Sequence, residues 1–253
     1  MISPLMMSPL TMLTGSLVIC LASLTCGLAG FGFALVSVPL LINFVLPQPQ
    51  VVVPTVLLLT NLSNCIVLIK ARKWIDVDRI WLLGLAGVLA TPLGTYLLVV
   101  LDTRALNIFI GVVTSLSALA LMLGLRHPIR NEKLALLPVG VLSGLLSGST
   151  AMGGPPVVLF MANQGTQKQV FRANLTLYFT VVGLSTIPSQ VVGGLLTRHV
   201  LLYTLGALPA LTLGTLAGIK LARRTREDVF RKLALVIVVV SGVVAVGSAW
   251  GAM

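Results

Sequence analysis

Charge is what this chain has least of. Asp, Glu, Lys and Arg make up 9% of its 253 residues, where a soluble domain carries about 25%. No water-facing surface can be built from so few, and a soluble globular fold is excluded. With 57% hydrophobic residues, disorder is excluded as well. Acids are scarcer still. All six of them, Asp76, Asp78, Asp102, Glu132, Glu227 and Asp228, fall in loops or at the ends of apolar runs. His127 and His199 also lie in loops. No carboxylate or imidazole sits at mid-membrane, so the relay residues of a typical proton-coupled carrier are missing. So are the acid, histidine or nucleophile clusters of a membrane enzyme or metalloprotein. No enzymatic activity, metal or cofactor is expected.

Cysteine is sparse, and the three present, Cys20, Cys26 and Cys65, form no CxxC pair. They read as small buried apolar residues. The 17 basic residues are not interleaved with aromatics, and this excludes a nucleic-acid partner. The first of them is Lys70, so no basic segment precedes the first apolar run and a secretory signal peptide is not expected.

What is present in abundance is continuous apolar sequence, with a mean hydropathy of +1.07. The runs do not alternate, so they predict membrane helices and exclude an outer-membrane barrel. Eight segments are legible: 12–46, 51–69, 80–101, 105–125, 134–161, 170–190, 200–221 and 233–250. A span needs about 20 residues, so the first and fifth are too long for one crossing and short for two. Both are interrupted, by GLAGFGFALVSVP at 27–39 and by GLLSGSTAMGGPP at 144–156. Gly27 and Gly144 open these stretches, and Pro39 and Pro156 close them at the same separation. Further on, Leu93-Gly94-Thr95 matches Leu213-Gly214-Thr215. The pattern reads as a duplicated unit of about 120 residues.

The basic residues choose between topologies. Single crossings throughout leave them evenly divided between the two sides. If the first and fifth segments instead go in, turn and come back, only Arg104 and Arg198 face outward and the rest face the cytoplasm, as the positive-inside rule requires. Each half then holds one hairpin and three crossing helices, an odd number, so the halves are inverted. The expected fold is an all-α polytopic membrane protein of two inverted repeats, each a broken-helix hairpin followed by three transmembrane helices. Residues 1–125 form the first, 126–133 a cytoplasmic linker and 134–253 the second. Such repeats are the signature of many secondary transporters.

The hairpin tips should approach each other near the midplane, with the outgoing half-helices aimed at the centre. Helix N-termini carry free N–H groups and roughly half a positive charge, and two converging make an anion site. The expected substrate-binding residues are Gly30, Phe31, Gly32 and Phe33 at the first tip, and Gly148, Ser149, Thr150, Gly153 and Gly154 at the second. The buried amides Asn61, Asn64, Asn174 and Gln190 can donate to an oxyanion, though they equally glue helices together. Arg172, at the cytoplasmic mouth, is the candidate for attracting or gating an anion. Gly153→Leu is expected to abolish flux and leave the protein folded.

Taken with these features, GLAGFGFALVSVPLL, GLLSGSTAMGGPPVVLFM, the LGT segments, Trp74-Ile75-Asp76 and Phe171-Arg172-Ala173-Asn174 resemble the TauE/SafE family of sulfite exporters and related carriers, over nearly the whole chain. The resemblance implies a multi-pass inner-membrane carrier for sulfite, thiosulfate, sulfoacetate or related organosulfonates. It places the family's glycine motifs on Gly30, Gly32, Gly148, Gly153 and Gly154, with Pro39 and Pro156 behind them. The first motif departs from a fuller GxGGG form, because Phe31 and Phe33 interleave. Those rings could close a gate or shape a pocket for an organic tail. An anion channel on the same scaffold, or a non-transporting redox or biogenesis partner using the cysteines, are the alternatives.

Overall fold

A computed structural model describes residues 9–123, 132–164 and 167–224. Of the expected linker at 126–133, residues 126–131 lie outside the described residues and 132–133 open α6; the eighth segment at 233–250 lies outside them as well. Among those described, the elements are nine α-helices: α1 (Pro9–Ala29), α2 (Phe33–Phe44), α3 (Pro49–Ala71), α4 (Trp81–Val100), α5 (Thr103–Leu123), α6 (Glu132–Thr150), α7 (Gly154–Asn163), α8 (Lys168–Val192) and α9 (Arg198–Arg224), with two short 3₁₀ turns between α3 and α4. Four are long and apolar enough to cross a membrane, within Pro49–Trp74, Trp81–Val100, Lys168–Val192 and Arg198–Arg224. The two overlong segments are each a pair of shorter helices, α1–α2 and α6–α7, packed on one another.

The helices bury small and polar residues beside an apolar core that includes Phe33, Leu59 and Leu98, while many other large apolar side chains face outward, a surface unlike that of a soluble protein. Thr91, Thr95 and Thr215 are buried, whereas Leu93 is 63% and Leu213 is 69% exposed. With lipid outside, apolar side chains gain nothing by turning inward. Helices then associate through close backbone approach and interhelical hydrogen bonds.

The principal contacts come in matched pairs. α1 packs on α9, and α4 packs on α6. A Cβ added to Gly27 would meet the Thr215 carbonyl and Gly218, and one added to Gly148 would meet the Thr91 carbonyl and Gly94. Ser63 and Thr215 share a hydroxyl hydrogen bond of 2.8 Å across α3 and α9, and Ser185 and Thr91 share one of 3.2 Å across α8 and α4. The contact counterpart of Gly27 is thus Gly148. The sequence match pairs Gly27 with Gly144, one helical turn away. In these contacts Thr91 and Gly94 stand where Thr215 and Gly218 do, whereas the LGT match pairs Gly94 with Gly214.

The basic residues are sorted by end. The α3–α4 connection touches the start of α8, where the Asp76 N–H donates to Asn174 Oδ1 at 2.8 Å. Lys168 Nζ donates to the carbonyl of Ala222 near the end of α9. This end gathers Lys70, Arg72, Lys73, Lys168, Lys220, Arg223 and Arg224. Arg104 and Arg198 stand at the opposite end, where Gln50 at the start of α3 donates to the Leu101 carbonyl.

Candidate functional site

The first break follows from two glycines. α1 closes with the Gly30 N–H on the Cys26 carbonyl, 2.7 Å, and Gly30 and Gly32 then take φ of 81° and 94°. L-residues rarely hold such angles, and two in three positions reverse the chain without strain. α2 starts at once, its first backbone bond running from the Val36 N–H to the Gly32 carbonyl at 3.1 Å. The N–H groups of Phe33, Ala34 and Leu35 therefore have no carbonyl behind them.

The second break is shorter than the glycine pattern suggests. α6 runs on through Gly148, Ser149 and Thr150, and only Ala151, Met152 and Gly153 interrupt it. Ala151 supplies the turn at φ 62°. α7 then opens on Gly154-Pro155-Pro156. Proline suits a first helical turn but has no N–H, so this half-helix offers few donors. Pro39, its expected counterpart, lies inside α2.

The two breaks face one cavity of about 30 Å³, lined by Phe31 to Leu35 on one side and Ala151, Met152 and Gly154 on the other. Cys26, Thr60, Asn64 and Phe179 complete it. It has room for about two waters. Asn64 is 1% exposed. Its Oδ1 accepts the Cys26 S–H at 3.3 Å, and its Nδ2 has no partner. With its oxygen so engaged, the end of the amide left free is a donor. A larger cavity of about 250 Å³ lies nearer the start of α3, lined by Ile19, Leu41, Val45, Thr55 and Tyr203 among others. Ala22 and Val38, both fully enclosed, lie along α1 and α2 between the residues of the two cavities.

Of the residues expected from the sequence, Phe31, Gly32, Phe33, Asn64 and Gly154 come together here. The others lie elsewhere. Gly148 packs against α4. Ser149 and Thr150 return their hydroxyls to the Leu145 and Leu146 carbonyls of their own helix. Gly153 is wedged against Ser143 and Ser147 of α6, so a side chain there meets the Ser143 backbone. The expectation that Gly153→Leu leaves the protein folded is corrected by this contact. Asn61 presses on Gly183 of α8. Asn174 holds the α3–α4 connection. Gln190, fully buried with both side-chain polar atoms unpartnered, is three turns of α8 beyond Phe179. Gly30 and Arg172 touch each other behind the first tip.

Cys26, Thr60 and Phe179 were not legible as site residues. The role of Cys26 depends on a neighbour on another helix, which local sequence does not carry. If Cys26 orients Asn64, Cys26→Ala should weaken substrate affinity several-fold, and Cys26→Ser, which keeps a donor, should restore it. Equal affinities for all three proteins in a binding titration would refute the orienting role.

An apolar exterior, polar residues buried between the helices and four helices long enough to cross a membrane are the features of a multi-pass membrane protein. The chain belongs to the TauE/SafE family: the family described as Sulfite exporter TauE/SafE matches residues 16–245. Its members are transporters and not enzymes. No curated protein and no solved structure matches the chain.

Proposed function

We propose that this protein is a secondary transporter of the inner membrane. It moves small sulfur-containing anions such as sulfite, thiosulfate, sulfoacetate or related organosulfonates by alternating access. The observation that carries this reading is the cavity shared by the two breaks, whose wall includes the opening turn of α2 and Asn64 with its unpartnered Nδ2. A site of donors without carboxylates favours an anion. Phe31, Phe33 and Phe179 sheath it, which strengthens each polar contact by excluding water.

Residues 1–125 and 134–253 act as two inverted repeats joined by the 126–133 linker. The paired contacts of α1 with α9 and α4 with α6, and the paired hydroxyl bridges, support this reading. The end rich in Lys and Arg faces the cytoplasm by the positive-inside rule. The larger cavity then belongs to the outer side, closed from the centre by Ala22 and Val38.

The test is flux into proteoliposomes with sulfite, thiosulfate, sulfoacetate and taurine presented in turn and lactate as control. Saturable uptake of a sulfur oxyanion is expected, lost in Asn64→Leu, which keeps the branching of the side chain and removes the free donor. Unsaturable flux would point to a channel. Wild-type uptake by Asn64→Leu would remove the proposed site.

A further inference from the structure

Arg172 lies one turn into α8, a helix long and apolar enough to span the membrane. Its guanidinium donates to the Gly27 carbonyl in the last turn of α1. Its Nε is buried with no acceptor, and among the described residues no carboxylate pairs with it. A buried cation without a counter-ion is costly, and in membrane proteins such residues mark ion and substrate paths. The contact is intimate. A Cβ on Gly30 would lie 2.8 Å from Arg172 Cγ and 3.2 Å from Thr176 Oγ1. Arg172 does not line the cavity. It closes on the first tip from behind, at the end of the molecule that gathers Lys168, Lys220, Arg223 and Arg224. The same stretch of α8 holds the α3–α4 connection through Asn174 and Asp76.

We propose that Arg172 is a second anion station, and that an oxyanion arriving there takes the guanidinium from the Gly27 carbonyl and so unlatches the first hairpin tip from α8. This rests on the anion-carrier reading. A guanidinium binds a carboxylate- or sulfonate-like group through two parallel N–H bonds to a full negative charge, where the Gly27 carbonyl offers it only a neutral dipole. The anion therefore competes for Arg172 on favourable terms and stabilises only the unlatched arrangement. That difference between states is what lets a ligand drive a conformational change. The surrounding basic residues raise the local anion concentration at this mouth. Among the described residues no cation touches the opposite break, so the latch is one-sided.

The test uses the full chain in detergent with sodium thiosulfate as the probe. Affinity is read by titration calorimetry and opening by hydrogen exchange at residues 24–33. In the wild type thiosulfate should raise exchange at the tip. Arg172→Gln should bind thiosulfate about tenfold or more weakly, with tip exchange high whether or not thiosulfate is present. Arg172→Lys, which keeps the charge and loses the fork, should fall between. A purely structural role predicts raised exchange in Arg172→Gln with wild-type affinity, and that result would overturn the proposal. If Arg172→Gln does not accumulate, wild-type exchange decides, since a tip unmoved or protected by thiosulfate overturns it too. Binding lost in Asn64→Leu and untouched in Arg172→Gln would remove this station and leave the carrier reading standing. No binding of any sulfur oxyanion by the wild type would remove both.

Discussion

Gly154→Leu should give folded protein with no flux, and its neighbour Gly153→Leu should give little folded protein at all. The two glycines are adjacent but face different surroundings. A Cβ at Gly154 would meet only Phe179 Cζ, at 3.8 Å, and that ring lines the cavity. A leucine there grows into the roughly 30 Å³ between the breaks and occupies the space a substrate needs. At Gly153 a Cβ would run into the Ser143 carbonyl and the Ser143 and Ser147 hydroxyls. Backbone cannot step aside as a flexible side chain can, so the penalty is expected at or above the ~1–3 kcal/mol of ordinary overpacking. Size-exclusion profiles and melting curves of both variants, followed by proteoliposome flux, check the pair. Wild-type flux in a monodisperse Gly154→Leu would mean that the cavity is not on the path.

The contrast explains how much the sequence could say. Both helix breaks were legible, because glycine and proline inside a long apolar run leave few other readings. The sorting of charge to the two ends was legible too, since Arg104 and Arg198 stand apart from the other described basic residues. Which glycines break the chain and which only let helices touch was not. Gly30 and Gly32 are needed for their positive φ, whereas Gly27, Gly144 and Gly148 are needed for having no Cβ. The same letter serves both ends, and only the partner helix distinguishes them. The LGT identities pair Gly94 with Gly214, whereas in the close contacts Gly218 meets Gly27 as Gly94 meets Gly148. Asn61 and Asn64 share a helix face by spacing, yet one meets Gly183 and the other lines the cavity. The shortage of donors at the second break was in plain view, because Pro155 and Pro156 carry no N–H.

The second large effect is expected at those packing glycines. Gly148→Ala and Gly218→Ala should each lower the melting temperature by several degrees, and the leucine variants should fail to accumulate. Helices in lipid gain little from burying apolar surface, so the pairs α4–α6 and α1–α9 depend on how closely their backbones approach. At Gly148 a single methyl would collide with the Thr91 carbonyl, and at Gly218 with the Leu24 carbonyl. The backbones must separate, and every contact along the pair weakens, including the Ser63–Thr215 and Thr91–Ser185 bridges that tie these pairs to α3 and α8. Gly84 and Gly206 supply the control on the same helices, α4 and α9. Neither has an atom within 4 Å of an added Cβ, so Gly84→Ala and Gly206→Ala should be neutral or gain up to ~1 kcal/mol of helix propensity. Melting curves in detergent for the four alanine variants decide it. If Gly148→Ala and Gly218→Ala melted with the controls, the close crossings would not be what holds α4 to α6 and α1 to α9.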